Sequence, residues 1–158
     1  MAPPTRVTIR EADRQEIFRH CLAERPNEAC GLLGGREGRV EKVYLARNKE
    51  QSPVRYEIDP ADLIRIFRDI DDSDLELVGI FHSHVFTQAY PSQTDVRLAY
   101  YPDALYLLVS LMNEREPVLR AYTILFPPPA PRRPFVIPDE AGTAHTLSPL
   151  AVNCIRLI

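Results

Sequence analysis

The sequence predicts an α/β (α+β) domain, a mixed central β-sheet flanked by helices. Short apolar runs of strand character recur along the chain, among them "EACGLLGG", "LELVGIFHSH" and "ALYLLVSL". Segments with helical spacing separate them, and the first two strand-like runs after the opening helix are close enough to form a hairpin. Sheet and helices therefore alternate without the strict order of a purely parallel fold.

"TRVTIR" alternates as a short strand. "EADRQEIFRHCLAERPNEA" then carries Ile17, Phe18, Cys21 and Leu22 at helical spacing, and Pro26 and Asn27 predict a stop near Glu24. "EACGLLGG" and "RVEKVYLARN" read as a hairpin around "GGREG". "YEIDPADLIRIFRDIDDSD" places Asp59 as an N-cap before Pro60 at the first helical position, with Leu63, Ile64, Phe67 and Ile70 on one face. "LELVGIFHSH" follows as an apolar central strand. "PSQTDVRLAYYP" starts a helix at Ser92 that Pro102 limits, and "ALYLLVSLM" and "VLRAYTILF" are two more strands joined at "NEREP". From Phe126 the chain becomes proline-dense ("FPPPAPRRPFVIPDE"), which denies a sheet its donors, and "LAVNCIRLI" offers a further edge strand. The expected organisation is a folded domain over residues 1–126 and a proline-rich extension over 127–158. For "PPPAPRRP" a stiff connector is favoured over a ligand of a proline-recognition module.

At 158 residues one core can form without disulfides or structural metal, so a bound metal is free to serve function. The charge is −3, from 19 basic and 22 acidic side chains, which leaves no positive field to hold nucleic acid or an acidic membrane. Cys21, Cys30 and Cys154 are odd in number and lack C-x-x-C spacing, arguing against a disulfide framework and a thiolate zinc site. No apolar run approaches the ~18 residues of a membrane span, and "MAPPTRVTIREADR" lacks a secretory h-region. A soluble protein in a reducing cytoplasm is expected.

The chemistry concentrates in "HSHVFTQAYPSQTD", residues 82–95. Side chains of a strand alternate, so His82 and His84 project to one side and Ser83 to the other. Two imidazoles then share one volume, and Asp95 is the nearest candidate for the third ligand of a zinc site that keeps a position for water. Each residue also has a plainer reading. Ser92 to Asp95 is close to a capping box, H-x-H can close a strand as a polar pair, and Glu28 after "PN" can be a solvated turn residue. Cys30 reads as a small core residue.

The stretch matches H-x-H-x7-S-x2-D and thereby resembles the signature of the JAMM (MPN+) zinc metalloproteases. "NEACGLLGG" resembles the segment in which that family carries its catalytic glutamate, and "RYEIDP", "LVGIFHSH" and "ALYLLVSL" extend the similarity over residues 6 to 125. The resemblance implies the MPN/JAMM fold, of cytidine-deaminase-like type. It implies one zinc ion (Zn2+) with a catalytic water, held by His82, His84 and Asp95. Glu28 would accept the proton of that water and Ser92 would donate to the oxyanion. One departure is Val85, where the family usually has proline, which bears on the loop toward Ser92 and on substrate contacts near Val85 and Phe86.

Compact members of this kind resemble prokaryotic enzymes acting at the Gly-Gly terminus of ubiquitin-like proteins. The resemblance therefore implies a partner that is a ubiquitin-like or sulfur-carrier protein. The leading expectation is release of cysteine from a sulfur-carrier adduct; the alternative is an isopeptidase removing ubiquitin-like modifiers from lysine. A metal-free MPN scaffold is disfavoured by the complete ligand set. A RadC-like protein is disfavoured by the acidic balance and by "NEACGLLGG". MPN domains often pair, so the resemblance also allows a homodimer.

Overall fold

The computed structural model describes residues 4–124 and the backbone of 136–138, 144–146 and 152–157. Seven strands form one sheet in the order β1-β9-β6-β5-β4-β2-β3, with the elements β1 (Arg6–Val7), α1 (Glu11–Ala23), β2 (Cys30–Arg36), β3 (Arg39–Ala46), α2 (Pro60–Asp72), β4 (Glu76–His84), α3 (Gln93–Arg97), β5 (Leu105–Ser110), β6 (Val118–Ile124) and β9 (Val152–Leu157). Two short strands, β7 (Val136–Pro138) and β8 (Ala144–Thr146), pair separately. The proline-rich run 127–135 lies outside the described residues.

The expected hairpin is β2–β3, antiparallel from Cys30↔Ala46 to Arg36↔Arg39. It turns at Glu37 and Gly38, whose φ values of 51° and 73° are left-handed, a conformation glycine adopts without steric cost. β4 runs antiparallel to β2 and parallel to β5, and β5 antiparallel to β6, so the sheet is mixed. "LAVNCIRLI" differs from its expected place. β9 pairs antiparallel with β6 and parallel with β1, one position inside the edge. "TRVTIR" supplies only a two-residue strand, because the chain leaves β9 at Thr8 to bridge Arg39 of β3. The Thr8 and Val40 amides donate to the Gly38 and Thr8 carbonyls, so this turn ties both edges of the sheet together.

The sheet separates two apolar layers. α1 inserts Ile17, Phe18 and Cys21 against Leu33, Val78, Phe81 and Leu107 on one side. α2 inserts Ile66 and Ile70 against Leu32, Tyr44, Ile80 and Leu108 on the other. Asp59 caps α2, accepting from the Ala61 and Asp62 amides, and Pro60 occupies the first turn, where no donor is missed. The buried stripe of α2 is rotated from the expected one. Ile66 is fully buried while Ile64 is 56 % exposed, because the helix meets the sheet along the 63-66-67-70 ridge. Among the described residues no helix is long and apolar enough to cross a membrane.

Candidate metal centre

β4 ends in "FHSH", and strand alternation sends Phe81 and Ser83 to the α1 face and Ile80, His82 and His84 to the α2 face. Ser83 is fully buried. Its hydroxyl accepts from the Ala29 amide at 2.8 Å and its amide donates to the Ala29 carbonyl at 3.0 Å, extending the β2–β4 ladder beyond Cys30. The residue between the histidines thus anchors the segment that carries Glu28.

After β4 the chain makes an irregular loop and then α3, only five residues long, where a helix reaching toward Pro102 was expected. Three consecutive carbonyls of that loop receive side chains from three strands. Ser110 donates to Thr87 at 2.6 Å, His84 Nδ1 meets Gln88 at 2.9 Å, and the Tyr122 hydroxyl donates to Ala89 at 2.5 Å. Val85 is buried in the same loop, so tertiary hydrogen bonds and burial hold its course without the family's proline. The loop delivers Ser92 as the N-cap of α3, with a complete capping box: the Ser92 hydroxyl accepts from the Asp95 amide at 3.1 Å and Asp95 Oδ2 accepts from the Ser92 amide at 2.8 Å. Because a serine hydroxyl also carries a donor, capping leaves its proton available.

The cap does more than close a helix, for it aims Asp95 at the histidines. His82 Nε2 lies 3.1 Å from His84 Nε2, His82 Nε2 lies 3.2 Å from Asp95 Oδ1, and His84 Nε2 lies 3.0 Å from Asp95 Oδ2. His84 Nδ1 donates its proton to the Gln88 carbonyl, which leaves the Nε2 lone pair facing the others. Two imidazole nitrogens and a carboxylate converging on one point repel unless a cation or a proton lies among them, and these residues could hold a metal ion. Tetrahedral zinc with bonds of about 2.0–2.1 Å would set neighbouring donors about 3.3 Å apart, close to the separations here. The donor set and its spacing therefore fit zinc. His82 Nδ1 is buried without a partner among the described residues, and its ring is held by stacking on Tyr56, centroids 4.3 Å apart and planes at 20°.

Electrostatics follow the geometry. Burial resists charge on Asp95, but His82, His84 and the Ser92 amide outweigh it and hold the carboxyl well below the usual carboxylate range. Burial lowers the His82 imidazole. At His84 it is outweighed by the Asp95 hydrogen bond and charge, and the imidazole is raised.

Glu28 lies in the loop two residues before β2, not on the strand as expected. It is 5 % exposed, and its Oε2 has no hydrogen-bond partner among the described residues. Burial pushes its carboxyl up to about 7, the charge of His84 opposing and that of Asp95 adding. A carboxyl poised near neutrality and coupled to His84 and Asp95 is chemically able to act as a general acid or base. Cys30 is a buried free thiol whose acidity burial suppresses, in keeping with a core role.

Two residues near the site were not singled out in the sequence. Tyr56, inside "RYEIDP", stacks on His82 and forms one wall of a cavity of about 470 Å³ shared with Leu63, Ile80, Leu98 and Tyr106. Asn48 is buried and hydrogen-bonded to the Glu28 carbonyl at 3.0 Å. A polar residue closing the strand "RVEKVYLARN" was visible, but nothing local distinguished it from an ordinary loop asparagine.

Residues 10–125 match the family described as prokaryotic homologs of the JAB domain. The chain belongs to that family. The CysO-cysteine peptidase of Mycobacterium tuberculosis is 44 % identical over 108 residues, covering 67 % of this chain and 74 % of the relative. The desampylase of Pyrococcus furiosus is 44 % identical over 69 residues, covering 44 % of this chain and 49 % of that protein. A solution structure of a Desulfitobacterium hafniense protein superposes with a TM-score of 0.73 at 32 % identity, covering 96 % of this chain and 91 % of that one. The family membership and this likeness agree with the α+β fold expected from the sequence.

Proposed function

We propose that this chain is a zinc peptidase that hydrolyses the bond after the C-terminal Gly-Gly of a ubiquitin-like sulfur carrier, releasing cysteine from a carrier–cysteine adduct. The observation that carries the reading is the convergence of His82, His84 and Asp95, all with ligand atoms within 4.8 Å of one another, beside the buried carboxyl of Glu28. Similarity to a CysO-cysteine peptidase over most of that relative's length supports the choice of substrate.

In this reading His82, His84 and Asp95 hold one zinc ion. Zinc held there would supply an acidified water and a Lewis acid for the scissile carbonyl. Glu28 takes the proton of the attacking water on its unpartnered Oε2 and passes it to the leaving amine. Ser92, its hydroxyl oxygen accepting from Asp95, turns its proton toward the oxyanion. The substrate tail approaches extended, as glycines allow, with small residues beside the metal. The buried free thiols of Cys21 and Cys30 suit a reducing cytoplasm.

A second reading, an isopeptidase acting on lysine conjugates of a ubiquitin-like protein, is favoured by the similarity to a desampylase and by 36 % identity over 86 residues to a probable TtuB-protein conjugate cleaving protease of Thermus thermophilus. Intact-mass measurement separates the two. A ubiquitin-like carrier ending in Gly-Gly is supplied as its C-terminal cysteine adduct and as a lysine isopeptide, with wild type and Glu28→Ala. Cleavage of the cysteine adduct alone is the expected result. Preferential cleavage of the isopeptide establishes the second reading, and failure on both by zinc-loaded protein refutes the substrate class.

A further inference from the structure

Glu28 stands just outside the β-ladder: Ser83 of β4 holds the neighbouring Ala29, whose amide shares a peptide group with the Glu28 carbonyl. The amide and carbonyl of Glu28 itself are bonded by one loop: its amide donates to the Ser52 carbonyl at 2.8 Å, and its carbonyl accepts from Asn48 Nδ2 at 3.0 Å. The same Asn48 amide donates to the Arg55 carbonyl at 2.9 Å, and its Oδ1 accepts from the Glu50 and Glu57 amides at 3.0 and 3.1 Å. A carboxamide offers two donors and two lone pairs, and all four are used here. Asn48 is 7 % exposed, so water does not replace any of them without cost.

Two residues at the site, Glu28 and Tyr56, are thereby tied to one side chain. Nδ2 reaches Glu28, while the bonds to Arg55 and Glu57 bracket Tyr56, the residue stacked on His82. Neither Glu28 nor Tyr56 lies in a regular element, and beyond the Ser83–Ala29 bonds the sheet does not set the position of either. We propose that Asn48 is a positioning residue that sets the Glu28 carboxyl against the metal centre by clamping the 48–57 loop to the Glu28 backbone. This rests on the assignment of Glu28 as proton acceptor. Asn48 itself touches neither metal nor substrate in this role.

Asn48→Asp is the selective perturbation. It preserves size and keeps the oxygen that accepts from Glu50 and Glu57, but it sets an oxygen against the carbonyls of Glu28 and Arg55 in place of the donor. In metal-free protein, amide hydrogen exchange is expected to accelerate about ten-fold or more at Glu28, with the β4 amides unchanged. With zinc restored and the cysteine adduct as probe, kcat is expected to fall about 10- to 100-fold at unchanged zinc content and KM. Combined with Glu28→Gln, the same substitution is expected to cost no further activity, because it acts through Glu28.

Unchanged exchange at Glu28, or an equal loss of kcat in the Glu28→Gln background, overturns the role of Asn48. Full turnover by Glu28→Gln overturns the assignment of Glu28 instead, and the two failures are thereby distinguished. If the wild type cleaves no probe, hydrogen exchange alone decides whether Asn48 holds the segment. Should Asn48→Asp fail to fold by circular dichroism, Asn48→Ser carries the same measurements.

Discussion

Replacing Glu28 by Gln is expected to make the metal-free protein more stable and the loaded enzyme far less active. In the folded chain burial raises the Glu28 carboxyl from 4.5 to about 7. Between those two pH values the native state binds a proton that the unfolded chain has released. The stability contributed by this protonated carboxyl therefore falls as pH rises through the window and is gone above about 7. At about 1.4 kcal/mol per pH unit, the ionised carboxylate costs the fold about 3 kcal/mol at pH 8. Glutamine fills the same volume without a charge, so the variant recovers that amount at pH 8 and nothing below pH 4.5. For a chain of this length the gain corresponds to about 6–12 °C in Tm. Bound zinc favours the carboxylate, so the difference narrows when metal is restored. Turnover moves the other way: removing a general base costs about 10²- to 10⁴-fold in kcat with zinc content retained. The assay is thermal unfolding of chelated wild type and variant from pH 4 to 8, beside kcat and metal content of the loaded forms. A variant no more stable than wild type at pH 8 refutes the burial argument, and one that loses its zinc refutes the separation of base from ligand.

Three further outcomes follow from the same geometry. His82→Ala and Asp95→Ala are each expected to abolish zinc binding and activity together, measured by metal analysis, with Asp95→Ala also losing about 1 kcal/mol from the α3 cap; a loaded, active variant removes that residue from the ligand set. Chelation is expected to end turnover and lower Tm, with zinc restoring both, and activity persisting in protein shown free of metal refutes the mechanism. Gly31→Ala is expected to cost about 1–3 kcal/mol in urea unfolding, because its new methyl would meet the Tyr44 carbonyl and the Phe81 ring of the strand that carries His82 and His84; an unchanged midpoint shows that the β2–β4 packing yields.

How much of the site was legible depended on the range over which each residue acts. His82 and His84 are separated by two positions on a strand, so alternation alone placed them together, while Asp95 was the nearest candidate for a third ligand and the JAMM resemblance implied that role. The capping reading and the ligand reading of Ser92 to Asp95 looked like rivals in the sequence. In the fold they are one arrangement, since the cap holds the carboxylate that faces the histidines. In the α2 stripe Leu63, Phe67 and Ile70 face the sheet as expected, while Ile66 takes the place expected of Ile64, because the two are equally apolar and the docking angle chooses between them.

Periodicity and cap chemistry, which act through neighbours a few residues away, were enough for the hairpin strands, the central strand that carries His82 and His84, and the α2 start. Tertiary structure alone decided that Glu28 sits in a loop beside the metal centre rather than on a strand, that Tyr56 covers His82, and that Asn48 joins the two. Asn48 to Glu28 and Tyr56 to His82 are contacts across 20 or more residues, and each involves a segment without periodic pattern. Their geometry is set by which buried carbonyls and amides remain unpaired once the sheet has formed, a condition that exists only in the folded chain.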